Sequence, residues 1–246
     1  MEKSLSSEAE KCADVAERSE YKGKLFSVLG DSISTLGGYS EPYSAAYYAG
    51  AMKFETGVCL PEDTWWGKVI GRLGGELLAN DSFAGSTVCK PRGSAFPSYA
   101  ASDERTSGLG RSGASPDVIM IFMGINDWGC GFPPFAKGGE KAEGSLSVFS
   151  SAYALMLEKL RKNYPMAELW CFTLPLNPEK REEAELLHRR NIEEYCRAIR
   201  ECAKKIGARA VDLSARVCRY GSEDGFHPNK EGMETLAKAA LESLSL

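Results

Sequence analysis

Only two histidines occur in the chain, His188 and His227, so histidine-based proton transfer has two candidates. His227 lies in S-E-D-G-F-H-P-N-K-E-G, with Asp224 three residues before it. In a turn, that spacing lets the carboxylate reach the imidazole, fix its tautomer and stabilise the imidazolium formed when the ring accepts a proton. The same stretch also reads as a polar turn that caps a helix, with Pro228 in the first turn and Asn229 as the cap. His188 sits inside the helical pattern A-E-L-L-H-R-R-N and reads as a helix-flank residue. A histidine base needs a partner to activate, and a serine hydroxyl is a weak nucleophile without one. The candidate is Ser32, in the one G-D-S of the chain, directly after the apolar run Leu25–Leu29.

Two further stretches could complete an acyl-transfer site. In F-M-G-I-N-D-W-G, Asn126 follows an apolar run and is open to two readings. It forms an Asx turn, or it aims an amide N–H at a developing oxyanion, with Asp127 holding the loop. In N-D-S-F-A-G-S-T, Gly85 lets backbone approach a ligand closely and leaves its N–H free.

These residues need a frame. Apolar strand patterns (K-L-F-S-V-L-G, E-L-L-A-N, P-D-V-I-M-I-F-M-G, A-E-L-W-C-F-T-L-P, A-R-A-V-D-L) alternate with helical ones. The helical patterns start at Asp63, run over S-V-F-S-S-A-Y-A-L-M-L-E-K-L-R-K-N-Y, cover 181–206 and close with N-K-E-G-M-E-T-L-A-K-A-A-L-E-S-L. That alternation predicts an open, mostly parallel sheet covered by helices on both sides. Loop-rich stretches near 39–61, 89–115 and 129–145 leave from the carboxyl ends of strands or just beyond, the edge where such sheets bind ligands. Trp65 and Trp66 read as helix packing.

Composition narrows the function. The chain has 246 residues, 43% hydrophobic and 26% charged, with a net charge of −4, so it lacks a basic footprint for nucleic acid. No apolar run approaches the ~20 residues of a membrane span. Residues 1–22 read as a charged arm without the ~7–15-residue apolar core of a secretory signal, and the chain as given reads as cytoplasmic. Eight cysteines form no C-x-x-C pair, which argues for buried free thiols rather than zinc or redox chemistry.

Taken in order, Gly30-Asp31-Ser32-Ile33, Asn80-x-Ser82-x-x-Gly85-x-Thr87, Gly124-x-Asn126-Asp127 and Asp224-Gly225-x-His227-Pro228-Asn229 resemble the four motif blocks of the SGNH hydrolases, the GDSL esterase/lipase family. The resemblance spans roughly residues 24–245. Gly37-Gly38-Tyr39 and Asp63-Thr64-Trp65-Trp66 are similar to a bacterial subgroup. The resemblance implies a three-layer α/β/α flavodoxin-like domain over 23–246 and hydrolysis of an ester without metal or organic cofactor. It implies Ser32 as nucleophile at a helix N-terminus, His227 as base and Asp224 as its orienting acid. Ser32, Gly85 and Asn126 would form the oxyanion hole, supported by Asp31 and Asp127. Loop aromatics (Tyr39, Tyr43, Tyr47, Tyr48, Trp128, Phe132, Phe135) among Gly, Ser and Pro suit sugar faces, so the expected partner is a small ester such as an acetylated carbohydrate. A thioesterase or lysophospholipase is the alternative within the chemistry. A non-catalytic binding module on the same scaffold is the alternative outside it, and a metal-dependent phosphatase using Asp31 or Asp127 lacks a compact ligand cluster.

Overall fold

The computed structural model describes residues 19–40, 45–91, 98–136, 144–178, 180, 182 and 191–246. His188, Tyr43, Cys12 and positions 181 and 183–190 of the helical pattern over 181–206 therefore lie outside the described residues.

Five strands form one sheet in the order β2-β1-β3-β4-β5, and every pair is parallel. They are β1 (Leu25–Gly30), β2 (Glu76–Ser82), β3 (Val118–Phe122), β4 (Glu168–Phe172) and β5 (Arg209–Val211). β3 is buried at every position, which is why its sequence is an unbroken apolar run rather than an alternation. The helices are α1 (Ala51–Thr56), α2 (Trp65–Leu73), α3 (Asp103–Ser107), α4 (Ile125–Cys130), α5 (Phe149–Asn163), α6 (Ile192–Lys205) and α7 (Lys230–Leu244). None of them is long and apolar enough to cross a membrane.

Strand side chains alternate between two layers of helix. Phe26, Phe122, Trp170 and Phe172 share one face, where Trp65 of α2 packs on Phe122 and Phe172. Met233 of α7 accepts the Trp65 backbone N–H, so α2 and α7 cover that face together. The other face carries Cys171, whose thiol is perturbed by Tyr153 of α5 and Cys202 of α6. The result is the expected three-layer α/β/α arrangement. Tyr21 joins it from the end of the N-terminal segment, edge-on to Trp170 and buried. The seven described cysteines are free, and four of them are buried.

Local signals set the helix ends. Thr64 caps α2 by accepting the Gly67 N–H, and Asn229 caps α7 by accepting the Gly232 N–H. The register then aligns the functional edge: Gly30 lies opposite Ser82 on one side and Phe122 on the other. The chain runs from β1 to an outer neighbour, then crosses back to β3, so the topological switch lies between β1 and β3. That is where an open α/β sheet presents a crevice.

Candidate active site

The turn after β1 carries Ser32. Gly30 is needed there because a Cβ would lie 2.4 Å from Ser34 Cβ and 2.7 Å from Ser82 Oγ. The chain then makes a single 3₁₀ turn, Ser32–Ser34, capped by Asp31, whose Oδ1 accepts the Ile33 N–H. This corrects the expectation of a helix N-terminus at Ser32: Asp31 caps one short turn, and no long helix follows directly whose dipole could act on Ser32. Side chains hold the turn instead. Trp65 Nε1 donates to Ser34 Oγ, and Trp66 Nε1 and Asn80 Nδ2 both donate to Ser34 O. The two tryptophans are buried, as expected of packing residues.

His227 reaches this turn from the loop ahead of α7. Its Nε2 lies 2.9 Å from Ser32 Oγ, and its Nδ1 lies 2.6 Å from Asp224 Oδ2. Asp224 Oδ1 accepts the backbone N–H groups of Phe226 and His227. Burial pushes the Asp224 carboxyl up, but those bonds and the imidazole outweigh it and hold the group down at about 2. The loop is anchored from behind, because Tyr48 Oη donates to Pro228 O and Tyr220 Oη to Phe226 O. The arrangement can move a proton from the Ser32 hydroxyl to an imidazole whose positive charge is already balanced.

Asn126 lies in the first turn of α4 and Gly85 in the loop after β2. Asn126 Nδ2 donates 2.9 Å to Ser86 O, which ties its amide to the Gly85 loop and leaves the second amide proton over. Gly85 is exposed with φ +79°, a conformation that favours glycine, and open space surrounds its Cα. Ala84 N–H is bonded to Ala45 O and Ser86 N–H to Phe83 O, while the Gly85 N–H meets no acceptor among the described residues. Asp127 is fully buried, and its two oxygens accept the Val88 and Cys89 N–H groups at 2.8 Å. It thus fixes the far end of the Gly85 loop. Burial raises the carboxyls of Asp31 to about 7 and Asp127 to about 6, in Asp31 with a further push from Asp127.

Ser32, Asn126 and His227 face one cleft of about 170 Å³, walled by Ile33, Ile125, Trp128 and Phe226 with Gly129 at its side. Most of the loop aromatics do not line it. Tyr48 and Trp128 are buried, with Trp128 alone on the cleft wall, and Phe132 and Phe135 pack on the core. Packing thus accounts for Tyr48, Trp128, Phe132 and Phe135, while Tyr39 stays exposed.

Two residues outside the four motif blocks join these segments. Arg105 of α3 is buried and donates to Ser86 Oγ (2.8 Å), Asp81 O (2.7 Å) and Gly30 O (3.2 Å). Its Nε lies 2.9 Å from Asp81 Oδ2, an ion pair rather than a directed hydrogen bond. No local pattern marks it, because an arginine in a polar helix is ordinarily solvated. The other is Tyr47, whose ring lies against His227.

A serine, an imidazole and a carboxylate thus stand in line at the carboxyl edge of a parallel α/β sheet. The model of the family described as GDSL-like Lipase/Acylhydrolase matches residues 24–244, and the chain belongs to that family. A solved structure from Bacteroides uniformis, described as that of a GDSL-like lipase, is 30% identical, with a TM-score of 0.67 over 91% of this chain and 96% of its own. One from Bacteroides ovatus, described likewise, is 27% identical, with a TM-score of 0.69 over 91% and 99%. An acetylxylan esterase from Geobacillus stearothermophilus shares the fold at a TM-score of 0.58 and 18% identity, over 92% and 95%. No curated protein matches the chain.

Proposed function

We propose that the protein is a serine esterase that hydrolyses short-acyl carboxylic esters, with acetylated carbohydrate as the substrate class. The observation that carries this reading is the unbroken line from Ser32 Oγ to His227 Nε2 and from Nδ1 to Asp224 Oδ2. His227 takes the Ser32 proton as Oγ attacks the ester carbonyl. The carbonyl oxygen becomes an oxyanion that accepts hydrogen bonds from the Ser32 and Gly85 N–H groups and the remaining Asn126 amide proton. The tetrahedral adduct collapses, His227 returns the proton to the leaving alkoxide, and an alcohol departs. Water, deprotonated by His227, attacks the acyl-Ser32. The acid leaves and Ser32 regains its proton.

The cleft supports the short acyl group. At about 170 Å³ it falls below the ~300–1,000 Å³ of drug-sized ligand sites, and its apolar wall suits a chain of few carbons. The carbohydrate alcohol is the chemistry named for the like-folded acetylxylan esterase, and it sets the substrate to test. A p-nitrophenyl ester chain-length series beside acetylated oligosaccharides makes the test. Turnover should peak at acetate, and acetate should be released from the oligosaccharide. A peak at octanoate or longer would favour a lysophospholipase-type lipid hydrolase, preferred cleavage of acyl thioesters a thioesterase, and no turnover of any ester a binding module.

A further inference from the structure

We infer that Tyr47 is a positioning residue of the acid–base pair, holding the His227 imidazole under its ring while its hydroxyl shares Asp224. The inference rests on the triad reading above and adds to it a group that no motif block contains. Three contacts carry it. The Tyr47 ring is stacked on the imidazole, with centroids 3.6 Å apart and planes 11° from parallel. Its Oη donates 3.2 Å to Asp224 Oδ2, the same oxygen that meets His227 Nδ1. Its backbone N–H donates to Thr35 Oγ1, which in turn donates to Ser32 O. One residue therefore touches the base and the acid directly, and is tied through Thr35 to the turn that bears the nucleophile.

Each contact has a distinct consequence. A parallel aromatic face favours the imidazolium over the neutral ring, as a π-face favours any cation laid on it. It also blocks rotation of the imidazole away from Ser32. The hydroxyl draws charge from Asp224 Oδ2 and so weakens the carboxylate's pull on the Nδ1 proton. Burial and then the Asp224 charge push the Tyr47 hydroxyl up to about 12, so it stays a donor through the working range. The other charged and titratable groups facing this cluster are Glu55 and Glu223 toward Tyr47, Asp31 toward Tyr48 and Tyr220, and Lys180 over Phe226.

The ring and the hydroxyl thus act in opposite directions, and two substitutions separate them. Tyr47→Leu keeps the apolar cover but loses the π-face and the hydroxyl, whereas Tyr47→Phe keeps the stack and loses only the hydroxyl. The test is the pH dependence of kcat/KM for a p-nitrophenyl ester, with kcat and KM resolved at the optimum. Tyr47→Leu should cut kcat by about 10-fold or more with KM changed less than about threefold, since a loosened base is felt in the transition state. Its acid-limb midpoint should fall by roughly 0.5–1 pH unit, the size of a partly desolvated cation–π contact. Tyr47→Phe should restore most of kcat and move the midpoint up rather than down. Midpoints that coincide in all three proteins, or equal kcat losses in Leu and Phe that track a fall in Tm, would overturn the inference in favour of plain packing. His227→Ala in the same assay keeps the two readings apart. If it remains active, the triad reading fails. If it is inactive and the Tyr47 midpoints coincide, only the Tyr47 inference fails.

Discussion

Arg105→Met is the perturbation that most directly tests how the active edge is held. Arg105 and Asp81 are both buried, with side chains 6% and 12% exposed. Removing one partner of a buried ion pair costs about 3–5 kcal/mol, chiefly because the other charge stays behind. Asp81 moderates that cost. Burial already pushes its carboxyl up against the opposing pull of Arg105. Without the guanidinium it rises further and takes up a proton in preference to remaining a bare charge. The lower end, about 3 kcal/mol at pH 7 and less at pH 5, is therefore expected. For a domain of this size each kcal/mol moves Tm by about 2–4 °C, so Tm should drop by roughly 6–12 °C at pH 7. With typical stabilities of about 5–15 kcal/mol the variant stays folded at 25 °C. There kcat should fall, because the carbonyls of Gly30 and Asp81 and the hydroxyl of Ser86 lose their common donor. Differential scanning calorimetry at pH 5 and pH 7, repeated in an Asp81→Asn background, checks the reasoning. A Tm change under about 2 °C at pH 7, or an identical loss in both backgrounds, would refute the buried-pair account.

Ser32→Ala should lower ester turnover by roughly 10⁴–10⁶-fold without loss of fold, and a fluorophosphonate label should attach to Ser32; labelling of another serine would contradict the nucleophile assignment. Asn126→Ala should cut kcat by roughly 10²–10³-fold with little change in KM, since the oxyanion bond strengthens only in the transition state; steady-state kinetics on p-nitrophenyl acetate read the split. Stability should decline between pH 5 and pH 8. The fold favours the neutral carboxyls of Asp31 and Asp127, so their contribution is full below the unfolded value near 3.9 and is lost as pH rises through about 6 and about 7. Asp31→Asn, which keeps a capping side chain, should flatten that slope, and a wild-type Tm that rises over the interval would be incompatible with the claim. Asp224 has the opposite sign. Its depressed carboxyl adds stability above about 4 that disappears as pH falls through about 2.

The features legible along the chain are local ones. An apolar run long enough only for a strand must be buried on both faces, so β1 and β3 and the residues that follow them were legible without a neighbour in sight. The Asp224–His227 pairing was legible too, because three residues of turn bring a carboxylate to an imidazole whatever the rest of the chain does. So was the Asn229 cap, whose bond closes within its own first turn. Contacts between distant segments were set by packing instead. Ser32 and His227 are 195 residues apart, and they become neighbours because α7 packs beside α2 and Tyr48 ties the loop ahead of α7 to the segment after β1. The same packing replaced an expected helix after Ser32 with one 3₁₀ turn, since Gly30 leaves room for the chain to fold back and the two tryptophans grip Ser34. It also turned Tyr47 from a loop aromatic into a cover for the imidazole, and it buried Arg105, which no motif marks, as a clamp. Those roles depend on which surfaces meet across the sheet edge, and no short stretch of sequence carries that information.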